Sequence, residues 1–209
     1  MPGLIKIRPT KIELIKLKRR FTLAKRVQKI VKDRLSIITL EFLQVARETV
    51  VAKQKLLDDF PDFYQSLSIT AGYHGYIALE KEMIASEREL DINIGSRNVA
   101  GVRLPSFEVP EVKRTSRGYA LTDTSSLLDR TSQLAENCLE NIIMLAELQS
   151  NLELLGQEIN RTKRIVNALE YLIIPSLENT IRYLNMKFEE RDREEKSRLK
   201  RVKVLLEQK

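Results

Sequence analysis

The sequence predicts an all-α fold: a long antiparallel two-helix coiled coil formed by the N- and C-terminal segments, with a small irregular head containing a short β-hairpin. Three observations carry this expectation. Residues that make turns are scarce and crowded into the middle: five of the 7 Gly (Gly72, Gly75, Gly95, Gly101, Gly118) and three of the 6 Pro (Pro61, Pro105, Pro110) fall between residues 61 and 118. Both flanks repeat apolar residues with a 3.5-residue period. The net charge of +7 is segregated, with residues 1–34 near +10, residues 196–209 near +5 and the remainder near −8.

The N-terminal helix is expected to start at Pro9-Thr10, with Thr10 as N-cap and Glu13 completing a capping box. Alternate steps of three and four from Leu14 give Leu14, Leu17, Phe21, Ala24, Gln28, Val31, Leu35, Ile38, Phe42, Val45, Thr49, Ala52 and Leu56. A strict heptad kept this long defines a narrow stripe on a left-handed supercoil. The helix is expected to end near Asp58, so residues 1–58 form the first arm.

Residues 59–126 are assigned to the head. Phe60, Phe63, Tyr64, Tyr73 and Tyr76 lie close together and suggest a small core capping the coil. Helical pattern returns over Tyr76–Leu90. Residues 91–95 and 99–104 then alternate like two short strands, which places a hairpin within 92–110. Residues 111–126 read as loop, with Asp123 or Thr124 capping the return helix.

The second arm, residues 127–209, carries the series Leu145, Leu148, Leu152, Leu155, Ile159, Thr162, Val166, Leu169 and Ile173. Two successive four-residue steps follow, Ile173 to Leu177 to Ile181, before Leu184 and Phe188 resume the alternation. This is a stutter that locally unwinds the supercoil, and Pro175 lies within it. The stripe on both sides favours a continuous but bent helix; the alternative is a break with Pro175 opening a new helix. Beyond Phe188 the seam positions become Arg191, Glu195 and Arg198, so the end of this arm lacks an apolar partner surface of its own.

A stripe this narrow needs a partner. The cheapest is the other arm of the same chain, because the arms match in length; a homodimer is the competing arrangement. Self-pairing would bring the basic segments to one tip near +15. That tip is the expected partner-contact surface, with Lys11, Lys18, Arg19, Arg20, Lys25 and Arg26 from the first arm and Arg198, Lys200, Arg201 and Lys203 from the second.

Catalytic chemistry is not in view. Gly95 to Gly101 lacks the Gly-Lys-Ser/Thr ending of a phosphate loop. His74 is the only His and has no Cys or acidic partners at ligand spacing, so neither a metal nor a cofactor is expected. Cys138 reads as a small core residue. The basic arm lacks a zinc finger or RNP-like strand, and a nucleic-acid partner is not expected. No membrane span or signal peptide is legible, and the reading is a soluble intracellular protein.

The second arm also carries a distinctive string, Lys163-Arg164-Ile165-Val166-Asn167-Ala168-Leu169-Glu170, followed by Ile174-Pro175, Leu177-Glu178, Thr180-Ile181 and Glu189-Glu190-Arg191. With Pro9-Thr10-Lys11, Leu14, Leu17-Lys18 and Lys32-Asp33, the chain resembles the D-subunit family of the A-type and V-type rotary ATPases. The likeness spans both arms and is looser in the head, at Val102 to Phe107; Val27 stands where the family pattern expects Gly. The resemblance implies a non-catalytic rotor shaft of the central stalk. Its helices would enter the hexamer of A and B subunits, and its other end would dock with the F-subunit onto the C-subunit. It implies a peripheral position on the cytoplasmic face of the cell membrane. A generic coiled-coil adaptor is the alternative, and a nucleic-acid-binding helical hairpin a lesser one.

Overall fold

The computed structural model describes residues 8–85, 92–108 and 125–207. The described elements are α1 (Lys11–His74), α2 (Tyr76–Ala85), β1 (Asn93–Val99), β2 (Val102–Glu108), α3 (Ser126–Ala168), a π-helical turn (Leu169–Ile173) and α4 (Ile174–Glu207). They fall into two compact units: residues 1–36 with 159–209, and residues 37–158. Long helices on both sides of a small two-stranded antiparallel sheet make the all-α architecture with a central hairpin.

In the first unit, the start of α1 packs against α4 in antiparallel sense. Thr10 caps α1: its Oγ1 accepts from Glu13 N–H at 3.4 Å and its carbonyl from Leu14 N–H at 3.1 Å. The box stays half-formed because the Glu13 carboxylate turns to Lys16 Nζ, 2.9 Å away. Leu17, Leu177 and Leu184 form the buried core, with Leu14, Phe21, Ala24, Ile181 and Phe188 against it. Lys32 Nζ lies 2.7 Å from Glu170 Oε2, and Arg191 Nη1 donates to the Pro9 carbonyl at 3.3 Å, so residue numbers rise on one helix as they fall on the other.

The stutter is resolved by a π turn. The Ile174 N–H donates to the Leu169 carbonyl five residues back, so one turn holds an extra residue. The stripe therefore passes from Leu169 to Ile174, which is half-buried, and on to Leu177. Ile173, expected on the seam, is 44% exposed: the extra residue rotates it outward. Pro175 follows directly. It lacks an N–H, and in α geometry its ring would meet the carbonyl four residues back; the wider turn relieves that clash. The helical path runs through Pro175 without a break.

In the second unit, α1 and α3 pair antiparallel. Asn141 Nδ2 donates to Asp59 Oδ2 at 2.9 Å, and Thr131 Oγ1 lies 2.7 Å from Ser66 Oγ and 2.9 Å from Thr70 Oγ1. These contacts explain why α1 continues to His74 instead of ending near Asp58. Pro61 sits inside it at an exposed position, and continued inward packing at Asp59, Phe63, Ser66 and Thr70 offsets the roughly 3 kcal/mol that an internal Pro costs. The aromatics placed in a capping core are instead on helices. Phe60 and Phe63 meet edge-on with centroids 6.2 Å apart, but Phe60, Tyr64, Tyr73 and Tyr76 are exposed. Cys138 is buried, and burial pushes its thiol pKa up, with nearby Asp59 adding to the effect.

β1 and β2 pair from Asn93↔Glu108 to Val99↔Val102. The turn is Ala100-Gly101, both with positive φ (50° and 86°), the geometry of a two-residue primed turn that follows strand twist. The turn lies later than the alternation suggested, and Gly101 N–H is held by Asn98 Oδ1 at 2.9 Å. A Cβ at Gly95 would lie 2.6 Å from Ser106 Oγ, so a side chain there would make the Ser106 hydroxyl rotate away. The hairpin packs through buried Leu104, the Phe107 N–H donating to Glu147 Oε2 at 3.0 Å, and an Arg97–Glu41 ion pair. The capping expectation at Asp123 or Thr124 lies outside the described residues.

Candidate docking surfaces

The first turns of α1 bury one stripe and expose many cations on the rest of the circumference, with Ile12, Ile15 and Leu23 exposed among them. Lys11, Lys18, Arg19, Arg20, Lys25 and Arg26 are all exposed, as are Arg198, Lys200, Arg201 and Lys203 on α4. Lys25 Nζ sits 4.5 Å above the Phe21 ring, a cation–π contact. Arg198 and Lys203 pair within their own helix with Glu194 (3.7 Å) and Glu207 (3.8 Å). Lys18, Arg19, Arg20, Arg26, Lys200 and Arg201 have no carboxylate partner among the described residues. Exposed cations in this number repel one another and favour an acidic partner.

The two cationic sets share one end of the first unit but not one level. Arg191 lies level with Pro9. At about 1.5 Å per residue, Lys18 and Arg198 lie on opposite sides of that level, separated by roughly 24 Å along the axis. The expected single tip is two bands with an acidic stretch between them on α4, where Glu189, Glu190, Asp192, Glu194 and Glu195 cluster. Within it Lys187 and Glu190 pair at 2.8 Å; their hydrogen bond raises the Lys187 pKa and lowers that of Glu190.

Every residue from Glu189 to Glu207 is exposed. Leu199, Val202 and Leu206 follow at helical spacing along one face of this stretch, among its cations. An apolar stripe of this kind is covered by nothing else among the described residues.

The second unit has an apolar surface outside the seam. Leu43, Val50, Leu57 and Tyr64 recur every seven residues on α1, and all four are exposed. Their spacing is visible in the sequence, one heptad position away from the seam. A separate hollow is lined by His74, Gly75, Tyr76, Leu79, Lys81, Glu82 and Leu128. Among the described residues no three His, Cys, Asp or Glu side chains converge as a metal site, and no helix is long and apolar enough to cross a membrane.

Comparison with known proteins agrees across the whole length. The family described as the ATP synthase D-subunit matches residues 13–204. The A-type ATP synthase D-subunit of Pyrococcus furiosus is 41% identical, covering 99% of this chain and 98% of its own length. The subunits of the same name from Methanopyrus kandleri (37% identical, 97% and 88% covered) and Desulfurococcus sp. (34%, 99% and 98%) are similar along nearly all of it.

Proposed function

Because this chain belongs to the ATP synthase D-subunit family, we propose that it is the central-stalk shaft of an A-type ATP synthase. It carries torque between the ion-translocating membrane ring and the catalytic head and performs no chemistry itself. The observation that carries this reading is the exposed end of α4, residues 189–207, where cations and an uncovered apolar stripe extend past the start of α1. Such a surface suits a socket made by other subunits. The paired helices of the first unit would sit within the hexamer of A and B subunits, whose catalytic sites respond as the shaft turns. The cationic bands would face acidic linings, and their stagger gives two contact levels.

In the second unit the stripe of Leu43, Val50, Leu57 and Tyr64 supports a partner lying along α1, and the F-subunit is the partner assigned to it. The end formed by His74, α2 and the start of α3 would dock on the C-subunit, above the membrane on the cytoplasmic side. The division of labour is then a shaft of paired arms and a docking region around the hairpin.

The test is reconstitution with the A, B, C and F subunits of the same organism. Removing residues 196–209, or neutralising Lys18, Arg19 and Arg20, is expected to weaken docking or coupling while the helices stay folded by circular dichroism. Unchanged assembly and turnover in both variants overturns the assignment of this end to the socket. Isolation as a lone dimer that ignores all four subunits overturns the shaft reading altogether.

A further inference from the structure

The chain's single histidine holds two helix ends together in a way that its own charge controls. His74 is the last residue of α1, and Gly75, with φ at 81°, turns the chain into α2. Ser125 stands at the start of α3, its carbonyl accepting from Leu128 N–H at 3.0 Å. Its N–H lies 3.4 Å from His74 Nε2, and its Oγ lies 2.8 Å from the same nitrogen.

A backbone N–H can only donate, so Nε2 presents its lone pair and the ring is neutral, with its proton on Nδ1. The histidine thereby serves as a cap supplied by another helix, accepting a donor that the start of α3 cannot satisfy internally. Protonation places an N–H on Nε2. The Ser125 hydroxyl can rotate to accept it, but the Ser125 N–H loses its acceptor, and the imidazolium then faces the positive end of the α3 dipole.

We propose that His74 is an acid-released clasp joining the end of α1 to the start of α3: closed while the ring is neutral, open once it is protonated. The charged and titratable neighbours pull in both directions. Tyr73 packs edge-on against the ring at 5.2 Å, and Lys81 and Glu82 of α2 line the same hollow. Asp129 is in the first turn of α3. The acids and the carbonyl end of α1 favour the imidazolium, whereas Lys81 and the α3 dipole oppose it. Whatever these groups contribute, protonation takes from the Ser125 N–H the Nε2 lone pair that it uses.

The next layer along the pair is the hydroxyl cluster of Ser66, Thr70 and Thr131, in which the Thr70 and Thr131 oxygens also lie 2.8 and 2.9 Å from the carbonyls of Ser66 and Leu127 in their own helices. No group in this layer protonates with the ring, so the amides beside it serve as the internal control. The contribution of the clasp is present at the end of a pH titration where the ring is neutral and lost at the end where it is protonated.

Hydrogen exchange of the full-length protein tests this, with intrinsic exchange corrected for pH and the ring charge followed by NMR, where one histidine gives one set of signals. Amides 125–128 are expected to lose protection roughly two- to tenfold as the ring protonates, the worth of one hydrogen bond, while amides around Thr131 do not change. His74→Gln, whose amide oxygen accepts at any pH, is expected to keep protection at both ends of the range. His74→Phe is expected to show low protection at both. Protection that stays flat in the parent protein while its ring titrates overturns the proposal. So does a His74→Gln variant that retains the parent's pH dependence.

Discussion

Deleting Leu172 separates the π turn from every other turn of the second arm. In an α-helix, losing one residue rotates all that follows by about 100° and pulls it back about 1.5 Å. Across the π turn the seam steps from Leu169 to Ile174 and then to Leu177. Removing one residue from this turn makes the steps four and three, so Leu177, Ile181, Leu184 and Phe188 keep their inward phase. The same deletion at Asn179 turns Ile181, Leu184 and Phe188 off the seam. Leu184 is only 1% exposed, and giving up burial of such a side chain costs about 1.5–3 kcal/mol, so three together cost roughly 5 kcal/mol. The Leu172 deletion has its own cost, because the tightened turn restores the Pro175 clash, about 3 kcal/mol. Adding Pro175→Ala is expected to recover nearly all of it, whereas Pro175→Ala alone changes little. Urea unfolding followed by far-ultraviolet circular dichroism on these proteins gives a coupling of about 2–3 kcal/mol between residue 172 and Pro175 if the argument holds. A Leu172 deletion as damaging as the Asn179 deletion, with or without Pro175, refutes it.

Leu184→Ala is expected to destabilise the first unit by about 2–4 kcal/mol, since it hollows the core shared with Leu17 and Leu177; urea midpoints measure it. Glu170 is held below the usual carboxylate pKa chiefly by its hydrogen bond from Lys32. The stability it adds is therefore present above the ordinary carboxylate pKa and lost as pH falls through the lowered value, and Glu170→Gln should flatten that part of the acid-unfolding curve. Ala100→Asn should stabilise the hairpin by up to about 1 kcal/mol, because Asn tolerates the positive φ at this turn position better than Ala; amide exchange across Val99 and Val102 reports it.

The seam was the most legible feature, because a two-stranded coil imposes one period on both partners. Every position in the series from Leu14 to Leu56 is buried or half-buried, including Gln28 and Thr49, whose polarity does not break the phase. Ends and insertions were harder to read. Pro61 marked a break that did not occur because it falls on the outer side of α1, where the seam on the far side can carry the helix past it. Ile173 was misplaced by one residue because a stutter in sequence does not state whether the helix unwinds gradually or inserts a π turn. The hairpin turn was misplaced because Ala100 adopts a conformation for which Gly or Asn is the ordinary signal. The exposed repeat of Leu43, Val50, Leu57 and Tyr64 was legible in principle, but one stripe per helix is all that a two-stranded coil leads one to expect.

A repeating apolar seam leaves one ambiguity: a slip by seven residues would still set apolar residues against apolar residues along much of its length. The polar layers remove it in the second unit. Thr131 meets Ser66 and Thr70, and Asn141 meets Asp59. Sliding α3 one heptad either way would bring Cys138 or Thr124 to the level of Thr131, and Leu148 or Leu134 to that of Asn141. Asp59 would then face a Leu side chain, and leaving its partly buried carboxylate unpaired costs more than the lost contact alone. The first unit relies on the Lys32–Glu170 pair at the π turn, since a slip of one heptad brings Lys163 or Leu177 to the level of Glu170; the Arg191 bond to Pro9 discriminates in one direction only, because Arg198 would replace Arg191 in the other. Apolar residues thus supply most of the cohesion, while a few polar pairs decide which of the near-equivalent alignments is the native one.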